Sequence, residues 1–516
     1  MEISYLKNKY HFWRNIFSRL IPFSSLLLIL LFFISILFHG QKIAFFISWT
    51  IILVLYVWWI IRWVEYVILV FSWIIRYKTF QRLNLNNIFN YSPVSKLEIQ
   101  YTKKYKQSDL NLNDLYHRII IPTYQDPFDM IKDSFESIKN SLYDNKKIII
   151  TLAGEYLDIE NFKKISEKIK KIYWNEFLLL NFTIHKLKNW EIQWKGSNIN
   201  FAVNSTYNEI LKIAKPENVL VHVMDSESIV QDKYFLAMSL EFCLTKNDIR
   251  HKTIYQPMLF LLNRFFKAPY FSKVIALSVW AYILWSSIKW IWARAQAVQA
   301  QSLKSLLLTN FYSSETITED WHQYYRTYCV FNWKFQIKPV YSYVLLEPVI
   351  WKSILETIKL QYNQIRRWAH WCLDLPYLIL CFIDKYNKLP KLRTFYEIFR
   401  LIEASVLWGS LQIILFFWSI FLYIIWNWFW DILILFNAFS LLILILVLFF
   451  SYRFFPFKDL ENKYDKIFNF LKYWLFTFIF MWPLLMVLNW LPALHAQFMI
   501  LLWKPMWKFK VTKKYR

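Results

Sequence analysis

Residues Arg118–Asp126 read RIIIPTYQD, an apolar run that ends in a proline and a polar turn. Such a short, β-branched run is typical of a buried strand in a parallel sheet. Lys147–Leu152 is a second run of this kind, and Asn218–Met224 is a third that ends directly before Asp225. Between the first two runs, residues 128–142 carry apolar side chains at helical spacing. Strands that alternate with helices predict a doubly wound α/β sheet.

Two polar segments follow strands of this predicted sheet, where ligands of open α/β sheets bind. One is the turn Pro122–Asp126, and the other is Asp225-Ser226-Glu227. The single residue between Asp225 and Glu227 places both carboxylates on one edge of an extended segment, where they could meet one hard cation. A solvated acidic turn is the alternative interpretation of such a pair.

The composition indicates a membrane protein with a sizeable soluble part, because 57% of the 516 residues are hydrophobic and 21% are aromatic. The net charge of +25 arises largely beside apolar segments, as in cytoplasmic loops of membrane proteins. No nucleic-acid recognition motif accompanies the charge, so nucleic acid is not an expected partner. The four cysteines have no CxxC spacing and are predicted to be free thiols.

Two apolar runs near the N-terminus, Leu20–Phe38 and Ile43–Ile61, are each long enough to cross a bilayer, for which about 20 residues suffice. Arg62 and Glu65 follow at a spacing that allows them to pair on one helix face, and we place them at the inner interface, with Tyr66–Ile75 as an interfacial or buried continuation. The basic residues that flank the runs predict a transmembrane hairpin over residues 1–82, with the N-terminus and the following domain in the cytoplasm.

Apolar sequence resumes after the central region, and the central region itself contains one ambiguous run. The later runs predict three or four spans over residues 374–503 and a basic cytoplasmic tail over residues 504–516. Lysines interrupt Ala268–Ala293, which we therefore interpret as an amphipathic interface segment within a cytoplasmic domain of residues 83–373. A crossing there would put Asp225 and Asp320 on opposite sides of the membrane. The later runs are Ala404–Trp426, Trp430–Phe450 and Tyr473–Trp503.

Two further motifs follow in the central region. Thr318-Glu319-Asp320 is also what a helix start with acidic first-turn residues looks like. Gln364–Trp368 reads QIRRW, which also fits a basic, aromatic helix at a membrane border. Together with PTYQD and DSE, in this order, the motifs resemble those of the membrane-embedded family 2 glycosyltransferases, which include cellulose, chitin and hyaluronan synthases. The resemblance covers about residues 118–368 and the C-terminal tail.

The resemblance implies roles for the acidic and basic motif residues. In the TED motif, Asp320 would be the general base that deprotonates the acceptor, with Glu319 beside it. In the QxxRW motif, Arg367 would contact the diphosphate, while Gln364 and Trp368 would bind the acceptor sugar. Where the family has DxD, this chain has Asp225 and Glu227, the expected ligands of Mg²⁺ or Mn²⁺.

The resemblance also implies a set of donor-binding residues. Pro122, Tyr124 and Asp126 match a turn that cradles the nucleotide, and Glu155 stands where the family has an aspartate that holds the base or ribose. Lys195 opens KGSNINFA, which is similar to a GKxxAxN-type loop and would pair with a phosphate; a surface lysine in a turn is the alternative. FKVTKK at 509–514 matches a gating loop in which Thr512 and Lys514 contact the donor, or else is a basic tail. The site residues so implied are Pro122, Tyr124, Asp126, Glu155, Lys195, Asp225, Glu227, Glu319, Asp320, Gln364, Arg367, Trp368, Thr512 and Lys514.

These features together predict a GT-A-type domain inserted between transmembrane helices of the cell membrane. The implied activity is inverting, metal-dependent transfer from a nucleotide-diphosphate sugar, with UDP as the expected nucleotide, to build and translocate a β-linked polysaccharide. The implied partners are the donor, a glycan or lipid acceptor, the bilayer and accessory subunits. Alternatives are a single-transfer enzyme that acts on a lipid or lipid-linked sugar and, from another class, a transporter or a non-catalytic membrane scaffold.

Overall fold

In the computed structural model of the chain, the described residues are 3–38, 42–193, 195–287, 293–425, 484–502 and 504. The predicted span Trp430–Phe450 and the gating-like residues Thr512 and Lys514 lie outside them, so both stay predictions.

Among the described residues, eight strands form one mixed sheet in the order β3-β2-β1-β4-β7-β6-β8-β5. β1 pairs in parallel with β2 and β4, and β2 pairs in parallel with β3. The runs that opened the sequence analysis are therefore neighbouring parallel strands, as predicted. The strands are β1 (Tyr116–Pro122), β2 (Ile148–Glu155), β3 (Leu179–His185), β4 (Val219–Val223), β5 (Ile229–Val230), β6 (Thr253–Phe260), β7 (Gln299–Ser302) and β8 (Gln336–Leu345).

Helices cover both faces of this sheet. Along β1, Ile119 and Ile121 point into one apolar core and Ile120 points into another, as the two-residue period of a strand requires. The prediction of an α/β fold is therefore confirmed, with a sheet that is mixed because β7 pairs antiparallel with β4 and β6. The helices are α1 (Ile3–Lys9), α2 (His11–Leu37), α3 (Lys42–Gln81), α4 (Leu85–Phe89), α5 (Lys96–Lys106), α6 (Phe128–Lys139), α7 (Ile159–Tyr173), α8 (Lys195–Ser205), α9 (Tyr207–Leu211), α10 (Tyr234–Cys243), α11 (Asn247–Arg250), α12 (Tyr270–Ser287), α13 (Leu303–Leu308), α14 (Glu319–Phe331), α15 (Ile354–Trp368), α16 (Asp374–Asp384), α17 (Lys391–Ile425) and α18 (Leu491–Leu501).

Two helices among the described residues are long and apolar enough to cross a membrane, by length and composition alone: His11–Leu37 and Trp49–Gln81. They contain most of the two predicted N-terminal spans. Beyond Ile61 the second helix continues, over the stretch Tyr66–Ile75 that we interpret as its interfacial or buried continuation, to Gln81. Its last turns pack on the sheet. The Trp73 side chain is buried there, and its ring lies 6.1 Å from the ring of Phe260 on β6.

The segment Ala268–Ala293, expected to be amphipathic, forms α12 over its described part. Every side chain of α12 whose burial is described is buried or half-buried. Even Lys273 is only 4% exposed, and its Nζ donates a hydrogen bond to the Phe266 carbonyl at 3.0 Å. The helix packs against α3 and β6, and its place at a membrane interface stays a prediction. The four cysteines are buried and free, as predicted.

A pair of histidines joins β1 and β4 inside one core. His117 Nδ1 lies 2.7 Å from His222 Nε2, and the outer ring nitrogens contact Ser239 at 2.9 Å and Tyr234 at 3.1 Å. Both rings are fully buried, and burial lowers the pKa of His222 to about 3 and the pKa of His117 well below its usual value. The folded protein therefore holds both rings neutral.

This pair predicts a loss of stability in mild acid. Below the unfolded pKa of histidine, about 6.5, the unfolded state takes up a proton at each ring and the folded state does not. Each ring therefore lowers the free energy of unfolding by about 2 kcal/mol at pH 5 relative to its value above about pH 6.5. We expect His222→Gln to flatten the fall in melting temperature between about pH 7.5 and pH 5. The exposed His11 supplies the control, since His11→Gln should leave the slope unchanged. Equal slopes in all three proteins would contradict the prediction.

Candidate active site

A cavity of about 710 Å³ opens beyond the carboxyl ends of β1, β2 and β4. The start of α8, the start of α14 and the end of α15 also bound it. The cavity thus joins residues of the PTYQD, DSE, TED and QIRRW motifs, which are distant in sequence. Asp225 and Asp320 both line it, so the chain between them does not separate them. The predicted site residues that line it are Pro122, Tyr124, Asp126, Glu155, Lys195, Asp225, Glu227, Glu319, Asp320, Gln364, Arg367 and Trp368. Their roles stay predictions.

The turn after β1 is held by its own aspartate. The Asp126 carboxylate accepts hydrogen bonds from the Thr123 hydroxyl at 3.0 Å and from the Tyr124 N–H at 3.2 Å. Gln125 has a φ of 56°, a left-handed conformation that is uncommon outside glycine. Its N–H donates to Asp158 at 2.8 Å, which helps to hold that conformation. The turn thereby presents the half-buried Tyr124 ring to the cavity.

Glu155, at the end of β2, is held by a histidine that the sequence analysis missed. His185 Nδ1 lies 3.1 Å and 3.2 Å from the two Glu155 carboxylate oxygens, and its Nε2 lies 3.0 Å from Glu191. Burial raises the pKa of Glu155, and the hydrogen bond and charge of His185 partly oppose that rise. The two glutamates raise the pKa of His185 although burial opposes them. The β2–β3 register sets Glu155 beside His185, and only that register could have revealed the contact.

Lys195 is neither a surface lysine nor part of a loop, because it begins α8 and its side chain is only 20% exposed. Its Nζ donates to Asp225 Oδ1 at 2.9 Å and lies 2.9 Å from Glu319 Oε1. Burial lowers the pKa of this ammonium, but the neighbouring carboxylates outweigh it and raise the pKa above its usual value. Lys195 is therefore a charged group between the DSE and TED motifs.

Gly196 lets α8 approach α14 closely. A Cβ at this position would lie 2.7 Å from the Ser313 carbonyl oxygen and 3.0 Å from Glu319 Cβ. The first of these atoms belongs to the backbone, so relief of the clash would have to move the helix start that carries Lys195.

We expect Gly196→Ala to slow the sugar transfer proposed below at least about tenfold, a cost of about 1.4 kcal/mol in transition-state stabilisation, because the helix start that carries Lys195 would be displaced from the cavity. Asn204→Ala changes an exposed residue of the same helix and should leave activity near the wild-type value. The measurement is initial rate at saturating donor, with the melting temperature of each variant recorded. Wild-type activity in a folded Gly196→Ala protein would show that this close approach is not needed.

Asp320 lies in the first turn of α14, half-buried, with its Oδ1 accepting a hydrogen bond from the Trp321 N–H at 2.9 Å. Burial and the adjacent negative charge of Glu319 raise the pKa of Asp320 to about 7, while Lys195 opposes them. A general base works best with a pKa near the operating pH. Asp320 therefore has the placement and the proton affinity of a base at the cavity wall.

Arg367 lies in the last turn of α15 and is 9% exposed. Burial lowers the pKa of its guanidinium to about 10, and four carboxylates act against that effect: Glu319, Asp225, Asp320 and Glu227. Even so it remains protonated at neutral pH. Among the described residues, Arg367 and Lys195 are thus two cations beside these four carboxylates, which leaves an excess of two negative charges when all are ionised.

That charge excess equals one divalent cation. Within the described ranges, no three His, Cys, Asp or Glu side chains form a group that would hold a metal ion alone. Mg²⁺, however, is usually held by one or two carboxylates together with substrate phosphates. Asp225 and Glu227 fit that requirement, since both line the cavity and supply hard oxygen ligands.

The far end of the cavity extends between α3 and α17. Arg62 on α3 pairs with Glu403 on α17, and Arg400 lies 2.6 Å from the same carboxylate. The Arg62–Glu65 pair that the spacing predicts is observed at 2.8 Å. The contact with Glu403 is not predictable in this way, because nothing in the sequence indicates that α17 packs beside α3. Among the described residues, tryptophans from separate segments line the cavity, including Trp58, Trp371, Trp408 and Trp490.

No model of a known protein family matches the chain, and no curated protein sequence matches it. Among solved structures, the mannosyltransferase PcManGT from Pyrobaculum calidifontis, in complex with GDP-Man and Mn²⁺, is similar at 11% identity and a TM-score of 0.40, over 81% of this chain and 97% of that one. GalNAc-T7 with UDP, GalNAc and Mn²⁺ is similar at 11% identity and a TM-score of 0.30, over 50% of this chain and 52% of that one. S. aureus TarS residues 1–349 is similar at 15% identity and a TM-score of 0.29, over 58% of this chain and 80% of that one. Similarities this low carry no inference about activity.

Proposed function

We propose that the protein transfers a sugar from a nucleotide-diphosphate sugar to an acceptor hydroxyl, with inversion at the anomeric carbon and with UDP as the expected nucleotide. One observation carries the proposal: a single cavity joins a turn after β1, a carboxylate of pKa about 7, the nearly buried Arg367 and the half-buried Lys195. These are the parts that the reaction needs, namely a nucleotide cradle, a base for the acceptor and positive charge for the leaving diphosphate.

In this mechanism the acceptor hydroxyl lies against Asp320, which takes its proton as the oxygen attacks the anomeric carbon. The bond from that carbon to the diphosphate breaks on the opposite face, which inverts the configuration. Arg367 and Lys195 then face the charge that develops on the diphosphate. A divalent ion held by Asp225 and Glu227 would neutralise part of the same charge.

We further propose that the acceptor is a growing β-linked glycan, which the protein makes at the cell membrane and passes between its helices. The support is the cavity's extension from Asp320 between α3 and α17, with tryptophan rings on its wall. The rings of Trp321 and Trp371 have centroids 4.1 Å apart, and Trp408 follows at 5.4 Å from Trp371. Aromatic surfaces of this kind suit the apolar faces of sugar rings.

A lipid or lipid-linked sugar is the second candidate acceptor. It is favoured by Leu407 and Leu411 of α17, which add apolar surface at the same end of the cavity. On either candidate, α2 and α3 anchor the chain in the bilayer and the sheet domain lies in the cytoplasm. Product length separates a processive synthase from a single-transfer enzyme.

The test uses membranes that contain the full chain, Mg²⁺ or Mn²⁺, and a panel of radiolabelled UDP- and GDP-sugars. We expect label to enter a polymer or lipid fraction with the wild-type protein and not with Asp320→Asn. Product size then chooses between polymer and single transfer. Absence of transfer from every donor, or equal transfer by the variant, would favour a non-catalytic scaffold or a transporter instead.

A further inference from the structure

The Lys195 ammonium contacts one of the two carboxylates that are proposed to hold a metal ion. Its ammonium bridges the end of β4 and the start of α14, at 2.9 Å from Asp225 Oδ1 and 2.9 Å from Glu319 Oε1. Asp225 is also a proposed metal ligand. An ammonium and a divalent ion that both need this carboxylate compete for it.

The surrounding charges show why the ammonium is held there. Asp225, Glu227, Glu319 and Asp320 all lie close enough to act on Arg367. Without Lys195, this partly buried set would lose one of the two cations that the described residues place beside it, and repulsion between carboxylates is costly away from water. Lys195 thus offsets charge that a divalent ion would otherwise offset.

The lysine also has somewhere to go. Its four-carbon chain is flexible, so its point charge can follow an anion over several ångströms. Lys195 is the first residue of α8, an 11-residue helix, and a helix start favours phosphate. The same side chain can therefore serve the carboxylates before the diphosphate arrives and the diphosphate afterwards.

We propose that Lys195 is a resident cation that makes metal and nucleotide bind together. In the nucleotide-free protein its ammonium occupies Asp225 and opposes metal binding. When a nucleoside diphosphate enters, its oxygens draw the ammonium away and complete the metal's ligand set, so each ligand strengthens the other. This inference rests on the part of the proposed function that gives the protein a nucleotide-diphosphate donor.

The experiment measures Mn²⁺ binding by the electron paramagnetic resonance signal of free Mn²⁺, with the purified full chain in detergent. We expect the wild-type protein to bind Mn²⁺ weakly alone and at least about tenfold more tightly with UDP or GDP, within the usual range for coupled sites. Lys195→Met keeps the side-chain length and removes the charge. We expect it to bind Mn²⁺ alone at least about tenfold more tightly than wild type, with most of the nucleotide effect lost.

Two control variants separate the position of the charge from the presence of a lysine. Lys195→Arg keeps a cation and should behave as wild type with Mn²⁺ alone. Lys304 pairs with Glu217 at 3.0 Å on an exposed surface, so Lys304→Met removes a comparable ion pair and should not alter Mn²⁺ binding. Melting temperatures give a second readout, since Mn²⁺ without nucleotide should raise that of Lys195→Met and leave that of wild type nearly unchanged.

Equal Mn²⁺ affinity of wild type and Lys195→Met without nucleotide would overturn the inference, even if metal-dependent sugar transfer is found. The predicted Mn²⁺ pattern without any sugar transfer would uphold Lys195 as a resident cation and reject the proposed transferase function. The two failures are therefore distinguishable.

Discussion

We expect Asp320→Asn to lower kcat for sugar transfer about 10³-fold while leaving the protein folded and able to bind the donor, because general-base catalysis typically contributes 10²- to 10⁴-fold. The amide keeps the size and the hydrogen-bond acceptor of the carboxylate, so the Trp321 N–H retains its partner. What is lost is the ability to take a proton. KM for the donor should change little, because the substitution alters the acceptor side of the cavity and leaves the donor side unchanged.

The pH dependence supplies an independent check on Asp320. A base must be unprotonated to act, and the pKa of Asp320 is about 7. The kcat/KM of the wild-type protein should therefore rise with pH through about pH 7 and then level, and a cation bound beside Asp320 would move this rise to lower pH. The residual activity of the variant should lack that rise.

Asp129 provides the matched control, since it also lies in the first turn of a helix, α6, but is exposed and outside the cavity. Asp129→Asn should keep both the wild-type rate and the wild-type pH profile. If Asp320→Asn kept more than about a tenth of the wild-type kcat, Asp320 would be ruled out as the base. A loss of less than about tenfold is smaller than the roughly 10²-fold that a general base contributes at least.

Features that depend on neighbouring residues in the sequence can be predicted from it, whereas features that depend on contacts between distant segments cannot. The strands β1, β2 and β4 are predicted well, because a buried parallel strand is a local run of apolar residues bounded by turn residues. The polar residues after β1 and β4 are placed correctly for the same reason. The continuation of α3 beyond Ile61 is also expected, because Arg62 and Glu65 are spaced to pair on one helix face. The pairing of Arg62 with Glu403 is not expected, because it depends on how α17 packs.

The residues of the candidate site fall into the same two groups, those in local motifs and those that depend on distant contacts. Asp225, Asp320 and Arg367 are identified because each belongs to a short motif with its own spacing. His185 and Glu403 belong to no motif, and they reach the cavity only through strand register and helix packing. Lys195 is predicted as a site residue, but its place at the start of a helix is not predicted. Its partial burial could not be predicted either, because it depends on contacts with Asp225 and Glu319, which are distant in sequence. Pairings across the fold are what sequence patterns leave undetermined.

We expect Arg367→Gln to lower kcat/KM for the donor about 10²- to 10³-fold, the usual cost of removing one group that stabilises developing charge. The variant would leave Lys195 as the one cation that the structure places among Asp225, Glu227, Glu319 and Asp320 within the described residues. Those carboxylates would then repel the diphosphate in the ground state as well as in the transition state. Both KM and kcat should therefore change, unlike the effect of Asp320→Asn.

Arg366 makes this prediction sharp, because it is the adjacent residue of the same motif and the same helix but does not line the cavity. Arg366→Gln removes an equal charge from α15 and should cost less than about tenfold in kcat/KM, since that charge does not face the leaving diphosphate. Initial rates over a range of donor concentrations measure both variants. Equal losses in the two variants would mean that the positive charge of α15 acts from a distance, and Arg367 would lose its place as the group that faces the diphosphate.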